Sequence, residues 1–307
     1  MTGVSRISPH SSGENRSDRW EAFTAWALSI PALSFMIVML FSPVLAVAVI
    51  SLTDWQFGAF ELSFIGLGNY AELLDDHVFW TSLGNTMFYV VIVVPGAVFG
   101  GLGIAILIEA HTSLRSLYRA IHFIPVMVTT AAAALAWEAL LHPTIGLVNQ
   151  VLRSLGLGAY NWLQEPDLVM PVLCVLGIWE TAGFTMVLFL AGLSAIPKDL
   201  YDAAAIDGAD SAWDRFVTVT WPLLGPVTLF VFIVTATRAF KVFDYVAVLT
   251  QGGPNKASEV LLHTIYSEGF LFLRTGYASA LTVVFLVLIL AFTLLQSKTF
   301  DRRVHYE

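Results

Sequence analysis

Glu180 and Arg238 each lie near the middle of a long apolar stretch, where a charged side chain could bind a polar ligand or a partner of opposite charge. A charge at the centre of a bilayer costs about 2.5–3.5 kcal/mol or more, so it is normally paired or faces a cavity. The two stretches would run in opposite directions, which places both side chains at similar depth. The sequence therefore predicts either an ion pair that joins two helices or a polar cavity between them.

Helical spacing places further residues on the same two faces. They are Gly177, Thr181 and Phe184 beside Glu180, and Thr235 and Val242 beside Arg238. Such residues could hydrogen-bond to a polar ligand and stack against it, or could pack as an ordinary helix–helix core. Lys241 and Asp244 lie three residues apart and are expected to neutralise each other.

A charged segment, residues 198–222, separates the same two apolar stretches. Its charges cannot lie in hydrocarbon; they include Lys198, Asp202, Asp207, Asp210, Asp214 and Arg215. Residues 203–205 are alanines that favour a short helix, Gly208 permits a sharp turn, and Pro222 suits the start of the next helix. The pattern predicts a helix-turn-helix on a membrane face, although an ordinary interhelical loop would share much of it.

The composition indicates an all-α integral membrane protein. Of 307 residues, 57% are hydrophobic and only 12% are charged, and the mean hydropathy is +0.75, which lies outside the range of soluble domains. A net charge of −8 gives no case for nucleic-acid binding, which would require a basic stripe. The single Cys174 lies in an apolar stretch and is expected to be a buried thiol, since no intramolecular disulfide can form.

Six stretches reach the length of about 20 residues that a membrane-spanning helix needs. They cover residues 26–50, 80–107, 120–142, 168–196, 223–249 and 276–295. The first is too long for the core of a signal peptide and is interpreted as an uncleaved anchor. The predicted organisation is a partly disordered N-terminal tail (1–25), a six-helix membrane domain (26–296) and a C-terminal tail (297–307).

The distribution of Lys and Arg predicts that both termini are cytoplasmic. Ten of the fifteen then lie on the cytoplasmic side, three lie outside, and two lie inside a span. The charged segment falls on the cytoplasmic side in this orientation.

Catalytic signatures are not found in the sequence. It has no Gly-x-x-x-x-Gly-Lys-Ser/Thr phosphate loop, no pair of His at metal-binding spacing and no Gly-x-Ser-x-Gly elbow. We therefore expect no catalytic residue, no metal site and no cofactor in this chain, so any ATP that drives it would be hydrolysed by another protein.

The charged segment resembles the docking loop of ATP-binding-cassette importer permeases. Asp202-Ala203-Ala204, Gly208 and Trp221-Pro222 occupy the places of the family's Glu-Ala-Ala, Gly and Leu-Pro. The departures are Asp202 for Glu, Trp221 for Leu, and one extra residue before Pro222.

From about residue 64 onwards the chain resembles the maltose and glycerol-phosphate type of permease. The motifs that carry this resemblance, in chain order, are Phe64-Ile-Gly-Leu-Gly-Asn-Tyr70, Trp137, His142-Pro143, Gly146, Asn149, Gly156, Ile196-Pro197, Phe240-Lys-Val-Phe-Asp244 and Thr250-Gln-Gly-Gly-Pro254.

The resemblance implies a type I importer permease fold with six transmembrane helices in a bacterial inner membrane. It implies a heterodimer with a second permease, two ATPase subunits that bind ATP and Mg, and an extracytoplasmic solute-binding protein, with transport by alternating access. The matching substrate-contact positions are Gly177, Glu180, Thr181, Phe184, Thr235, Arg238, Ala239 and Val242. The matching ATPase-docking positions are Asp202, Ala203, Ala204, Asp207 and Gly208.

The expected substrate is a neutral mono- or oligosaccharide or a polyol. Phe184 and Trp179 could stack on a sugar ring while Glu180, Thr181 and Arg238 hydrogen-bond to its hydroxyls. Glycerol phosphate is the alternative, since Arg238 could bind a phosphate through two hydrogen bonds. An ion-coupled secondary transporter is a further alternative; a membrane enzyme is disfavoured.

Overall fold

The computed structural model describes residues 14–110 and 114–301, which form α-helices joined by short turns. The helices are α1 (Glu14–Ile50), α2 (Gly68–Asp75), α3 (His77–Ala110), α4 (Arg115–Met127), α5 (Thr130–Leu140), α6 (Leu147–Ser154), α7 (Pro166–Ser194), α8 (Lys198–Ile206), α9 (Ala212–Arg215), α10 (Trp221–Leu223), α11 (Gly225–Phe240), α12 (Leu261–Tyr266) and α13 (Thr275–Asp301). Three single π-helical turns cover Phe216–Thr220, Val246–Thr250 and Ser267–Leu271.

Within the described residues, four helices are long and apolar enough to cross a membrane without a break. They are α1 from Trp20 onwards, α3, α7 and α13 up to Gln296. Two further candidates are bent pairs: α4 and α5 meet at 100°, and the segment 212–223 meets α11 at 67°. The all-helical membrane architecture is confirmed, and the span count is four, or up to six if each bent pair is one span.

Two predicted spans differ from the straight helices that the sequence indicated. The stretch 120–142 is broken at residues 128–129, where Val128 and Thr129 are extended. The stretch 223–249 is helical only to Phe240 and resumes as the turn Val246–Thr250.

The core forms where α3, α7 and α11 pack together. At Gly101 of α3 an added Cβ would lie 2.8 Å from the backbone nitrogen of Met186 in α7, so glycine is what allows the two backbones to approach closely. Beside it the Thr185 hydroxyl donates to the Ala97 carbonyl at 2.7 Å. This contact fixes α7, which carries Glu180, against α3.

Helices extend into both predicted tails where these are described. Helix α1 begins at Glu14, within the predicted tail 1–25, and α13 continues to Asp301, within the predicted tail 297–307. Residues 1–13 and 302–307, which belong to the predicted tails, lie outside the described residues.

Candidate functional site

A central cavity of about 250 Å³ lies between α3, α5, α7 and the end of α11. Its lining residues are Tyr89, Val93, Thr130, Gly177, Glu180, Thr181, Arg238, Ala239, Lys241, Val242, Phe243, Asp244 and Tyr245. Both of the broken stretches reach it: Thr130 begins α5, and residues 241–245 follow α11. Interrupted helices at membrane depth are typical of solute sites, because the broken ends present polar backbone and side chains to a cavity.

Arg238 contacts Phe184 rather than Glu180. Its guanidinium carbon lies 3.9 Å from the centre of the Phe184 ring, a cation–π arrangement. Among the described residues, no ion pair within 4.0 Å joins Glu180 to Arg238 or Lys241 to Asp244. The expected neutralisation of Lys241 by Asp244 is therefore wrong. The cavity keeps two carboxylates and two cations, all four without an ion-pair partner in the described part of the chain.

Six of the eight residues expected at the substrate site line this cavity. They are Gly177, Glu180, Thr181, Arg238, Ala239 and Val242. Phe184 and Thr235 do not line it: Phe184 packs behind Arg238, and Thr235 is fully buried in α11. Trp179, a candidate for sugar stacking, packs edge-on against Trp137 at 5.5 Å.

Sequence reasoning missed two buried tyrosines beside Glu180. Tyr89 of α3 packs against Gly177, and a Cβ at position 177 would overlap the Tyr89 hydroxyl. Tyr245 follows the break in α11 and is 4% exposed. Both tyrosines line the same cavity as Glu180. A phenol inside an apolar stretch is a signal that could have identified them, since a buried tyrosine usually needs a partner.

The charged segment folds as the predicted helix-turn-helix. Helix α8 ends at Ile206, and Gly208 turns the chain with φ +96°, a left-handed conformation that favours glycine. Ser211 then begins α9 with a capping box: its hydroxyl accepts from the Asp214 amide at 3.0 Å, and the Asp214 carboxylate accepts from the Ser211 amide at 3.2 Å. The turn is therefore a rigid, exposed corner.

A groove of about 660 Å³ runs along this corner. Four of the five expected docking residues line it: Ala203, Ala204, Asp207 and Gly208. Asp202 is exposed outside the groove. At its edges Ile206 is 87% exposed and Trp213 is 70% exposed. An apolar groove rimmed by acidic groups and a large aromatic residue is the kind of surface that another protein covers.

The corner is joined firmly to the rest of the charged segment, which leads into α11. The Tyr201 hydroxyl lies 3.0 Å from that of Thr220, and the Arg215 Nε donates to the Ala209 carbonyl at 3.1 Å. Phe216 packs between Trp213 and Trp221, with ring centres 5.6 and 6.0 Å away. These contacts make the charged segment up to Trp221 one body.

A buried glutamate holds the loop that follows the cavity. The Glu259 carboxylate is fully buried and lies 2.7 Å from His263 Nδ1 and 3.0 Å from Lys256 Nζ. The Asn85 side chain of α3 donates to the Glu259 carbonyl at 2.9 Å. Burial by itself would raise the pKa of Glu259, but hydrogen bonds from His263 and Lys256 outweigh it and lower that pKa.

Comparison with known proteins gives matches over most of the chain. Residues 83–306 match the family model described as "Binding-protein-dependent transport system inner membrane component". The trehalose/maltose transport system permease protein MalF of Thermococcus litoralis is 35% identical over 281 residues, 91% of this chain and 94% of that one. The sn-glycerol-3-phosphate transport system permease protein UgpA of Agrobacterium fabrum is 34% identical over 253 residues, 81% of this chain and 85% of that one.

A solved structure shares the fold. It belongs to a bacterial ABC transporter involved in the import of the acidic polysaccharide alginate. The match has a TM-score of 0.83 and 22% sequence identity, and covers 95% of this chain and 100% of the other.

Proposed function

The chain belongs to the family of binding-protein-dependent transport system inner membrane components, and from this premise we propose that it is a permease subunit that imports a neutral sugar or polyol. The family places it in the inner membrane as a multi-pass protein. Its members are membrane components of transporters rather than ATPases, so the energy comes from a partner.

The proposed assembly has four kinds of component. This chain pairs with a second permease, two ATPase subunits bind ATP and Mg, and a solute-binding protein delivers the solute from outside. The charged segment faces the cytoplasm in this arrangement, as the Lys/Arg distribution favours, and its groove receives the ATPase. Both termini lie on the same cytoplasmic side.

The observation that carries the proposal is the continuous connection between the groove and the central cavity. The corner at Gly208 packs on the turn Phe216–Thr220, this turn leads through the bend at Leu224 into α11, and α11 ends with Arg238 and Ala239 in the cavity wall. A displacement of the corner is therefore transmitted to residues that line the cavity, because rigid packed elements move as bodies.

This connection between the groove and the cavity supports transport by alternating access. ATP closes the two ATPase subunits, the corner moves with them, and the cavity opens to the outside and accepts the solute. Hydrolysis reverses the movement and releases the solute inward. The ATPase supplies the free energy of this cycle, and this chain supplies the solute site and the connecting lever.

The lining of the central cavity supports a neutral solute. Glu180 and Asp244 balance Arg238 and Lys241 in formal charge, so a solute without net charge leaves the cavity balanced. Relatives of this chain are named for trehalose/maltose transport and for sn-glycerol-3-phosphate transport. These names correspond to the two candidate solutes, a neutral sugar and glycerol phosphate. Glycerol phosphate stays the second candidate because Arg238 has no carboxylate within ion-pair distance in the described part of the chain.

The lever is tested by Gly208→Pro. Proline fixes φ near −65° and cannot adopt the +96° of this turn, so the corner must change shape. We expect uptake in proteoliposomes to fall at least about tenfold, a cost of about 1.4 kcal/mol in coupling, while the ATPase continues to hydrolyse ATP. The matched control is Gly58→Pro, at a glycine outside the charged segment. Its φ is +91°, and no atom lies within 4 Å of an added Cβ at Gly58 or at Gly208. This variant should keep the wild-type ratio of solute imported to ATP hydrolysed. Normal coupling in Gly208→Pro would reject the lever.

A further inference from the structure

Tyr245 has a buried hydroxyl beside a carboxylate. The residue is 4% exposed, and its hydroxyl has no partner in good hydrogen-bond geometry within the described residues, although the Glu180 carboxylate lies near enough to accept its proton in another geometry. Burying a polar group without a well-placed partner is costly, and buried tyrosines normally have one. Because both residues line the cavity, the phenol can donate its proton either to Glu180 or to a ligand hydroxyl that enters beside it.

Tyr245 lies just beyond the break in α11. The helix ends at Phe240, where the Lys241 and Val242 amides donate to the Arg238 and Ala239 carbonyls at 3.0 and 3.2 Å. Helical structure resumes at Asp244 and continues as the π-helical turn that starts at Val246. Tyr245 lies in this resumed helix and lines the cavity. It follows Arg238 by seven residues, about two helical turns, and both residues reach the same cavity.

The neighbours of Tyr245 define the chemistry of the missing partner. The Glu180 carboxylate lies beside the phenol and accepts hydrogen bonds only, whereas the phenol can donate one. Two adjacent hydroxyl groups of a carbohydrate meet both requirements, because one can donate to the carboxylate while the other accepts from the phenol. An anionic solute would add a net negative charge to a cavity in which Glu180 and Asp244 already balance Arg238 and Lys241 in formal charge.

We propose that Tyr245 determines specificity in the transport function proposed above, by donating a hydrogen bond to one hydroxyl of a neutral sugar or polyol whose neighbouring hydroxyl binds Glu180. The proposal rests on that function. The proposal adds Tyr245 to the eight substrate-contact residues expected from the sequence. It favours a neutral solute with neighbouring hydroxyls over glycerol phosphate.

The experiment compares Tyr245→Phe with wild type in the full complex, using labelled maltose, trehalose and glycerol 3-phosphate as probes with the solute-binding protein present. Phenylalanine removes only the hydroxyl. For the sugar that wild type imports, we expect KM to rise about tenfold and the maximal rate per complex to change less than twofold. The unfolding temperature without sugar should stay the same or rise, because a costly unpartnered group is gone.

Thr228→Val is the matched control. Thr228, in α11, also has a buried hydroxyl without a partner among the described residues, but it does not line the cavity. Its KM should stay at the wild-type value. An unchanged KM in Tyr245→Phe overturns the proposal, and so does a lower unfolding temperature with an unchanged KM, which would make the hydroxyl structural. Import of glycerol 3-phosphate alone rejects the neutral class while the importer function stands; failure of the wild-type permease to associate with any ATPase rejects the importer function itself.

Discussion

Gly177→Ala is the substitution whose effect the structure defines most closely. Gly177 faces α3, and an added Cβ would overlap the Tyr89 hydroxyl and lie 2.8 Å from the ring carbon Cζ. Tyr89 is itself buried at 5% exposure, so its ring has little space to retreat. Overpacking of this kind costs about 1–3 kcal/mol. Replacing glycine by alanine in a helix returns about 0.5–1 kcal/mol, which leaves a net loss of up to about 2.5 kcal/mol.

The assay is thermal unfolding of the purified permease complex in detergent, together with sugar uptake. We expect Gly177→Ala to unfold at a lower temperature. Adding Tyr89→Phe removes the overlapping oxygen, so the double variant should recover most of the loss, a coupling between neighbouring sites that a double-mutant cycle measures. Gly103→Ala, also helical but with nothing within 4 Å of its Cβ, should be neutral or stabilising. Equal stability of Gly177→Ala and Gly103→Ala would refute this packing argument.

Two further predictions concern charged groups. Arg238→Lys loses the planar stack on Phe184 at 3.9 Å, worth about 0.5–2 kcal/mol; we expect a roughly 3- to 30-fold rise in uptake KM with normal ATPase association, and an unchanged KM would contradict it. The Glu259→Gln variant should be less stable than wild type by about 1–3 kcal/mol at pH 7, and equal stability there would argue against the role of this carboxylate. The folded pKa of Glu259 is lowered from an unfolded value of about 4.3, so its stabilisation is complete above that value and is lost as pH falls through the folded pKa. Unfolding temperatures measured between pH 7 and pH 3 should therefore converge for wild type and variant at the acidic end, whereas a constant difference would contradict the assignment.

Much of the charged segment could be read from its residues because the causes are local. Charges excluded from hydrocarbon, alanines and one glycine are enough to predict a short helix and a turn, and Gly208 has the expected positive φ. The cavity-facing positions Gly177, Glu180 and Thr181 also followed from helical spacing, since α7 is continuous over them.

The rest depended on packing between helices, which spacing alone does not give. Extrapolating one helical face placed Thr235 in the site, but this residue is buried inside the bundle. The contact of Arg238 with Phe184 instead of Glu180 depends on side-chain packing, and the contact of Tyr89 with Gly177 depends on how closely α3 approaches α7. Tyr245 follows Arg238 by seven residues, on the same face of a continuous helix, so spacing could have placed it in the cavity.

The most direct test of the central claim is ATP hydrolysis by this permease, purified with the partners encoded beside it and reconstituted in proteoliposomes. We predict that hydrolysis is stimulated, and sugar accumulates inside, only when one neutral sugar or polyol and the solute-binding protein are both present. Failure to associate with any ATPase, with uptake driven instead by a proton or sodium gradient, would contradict the account.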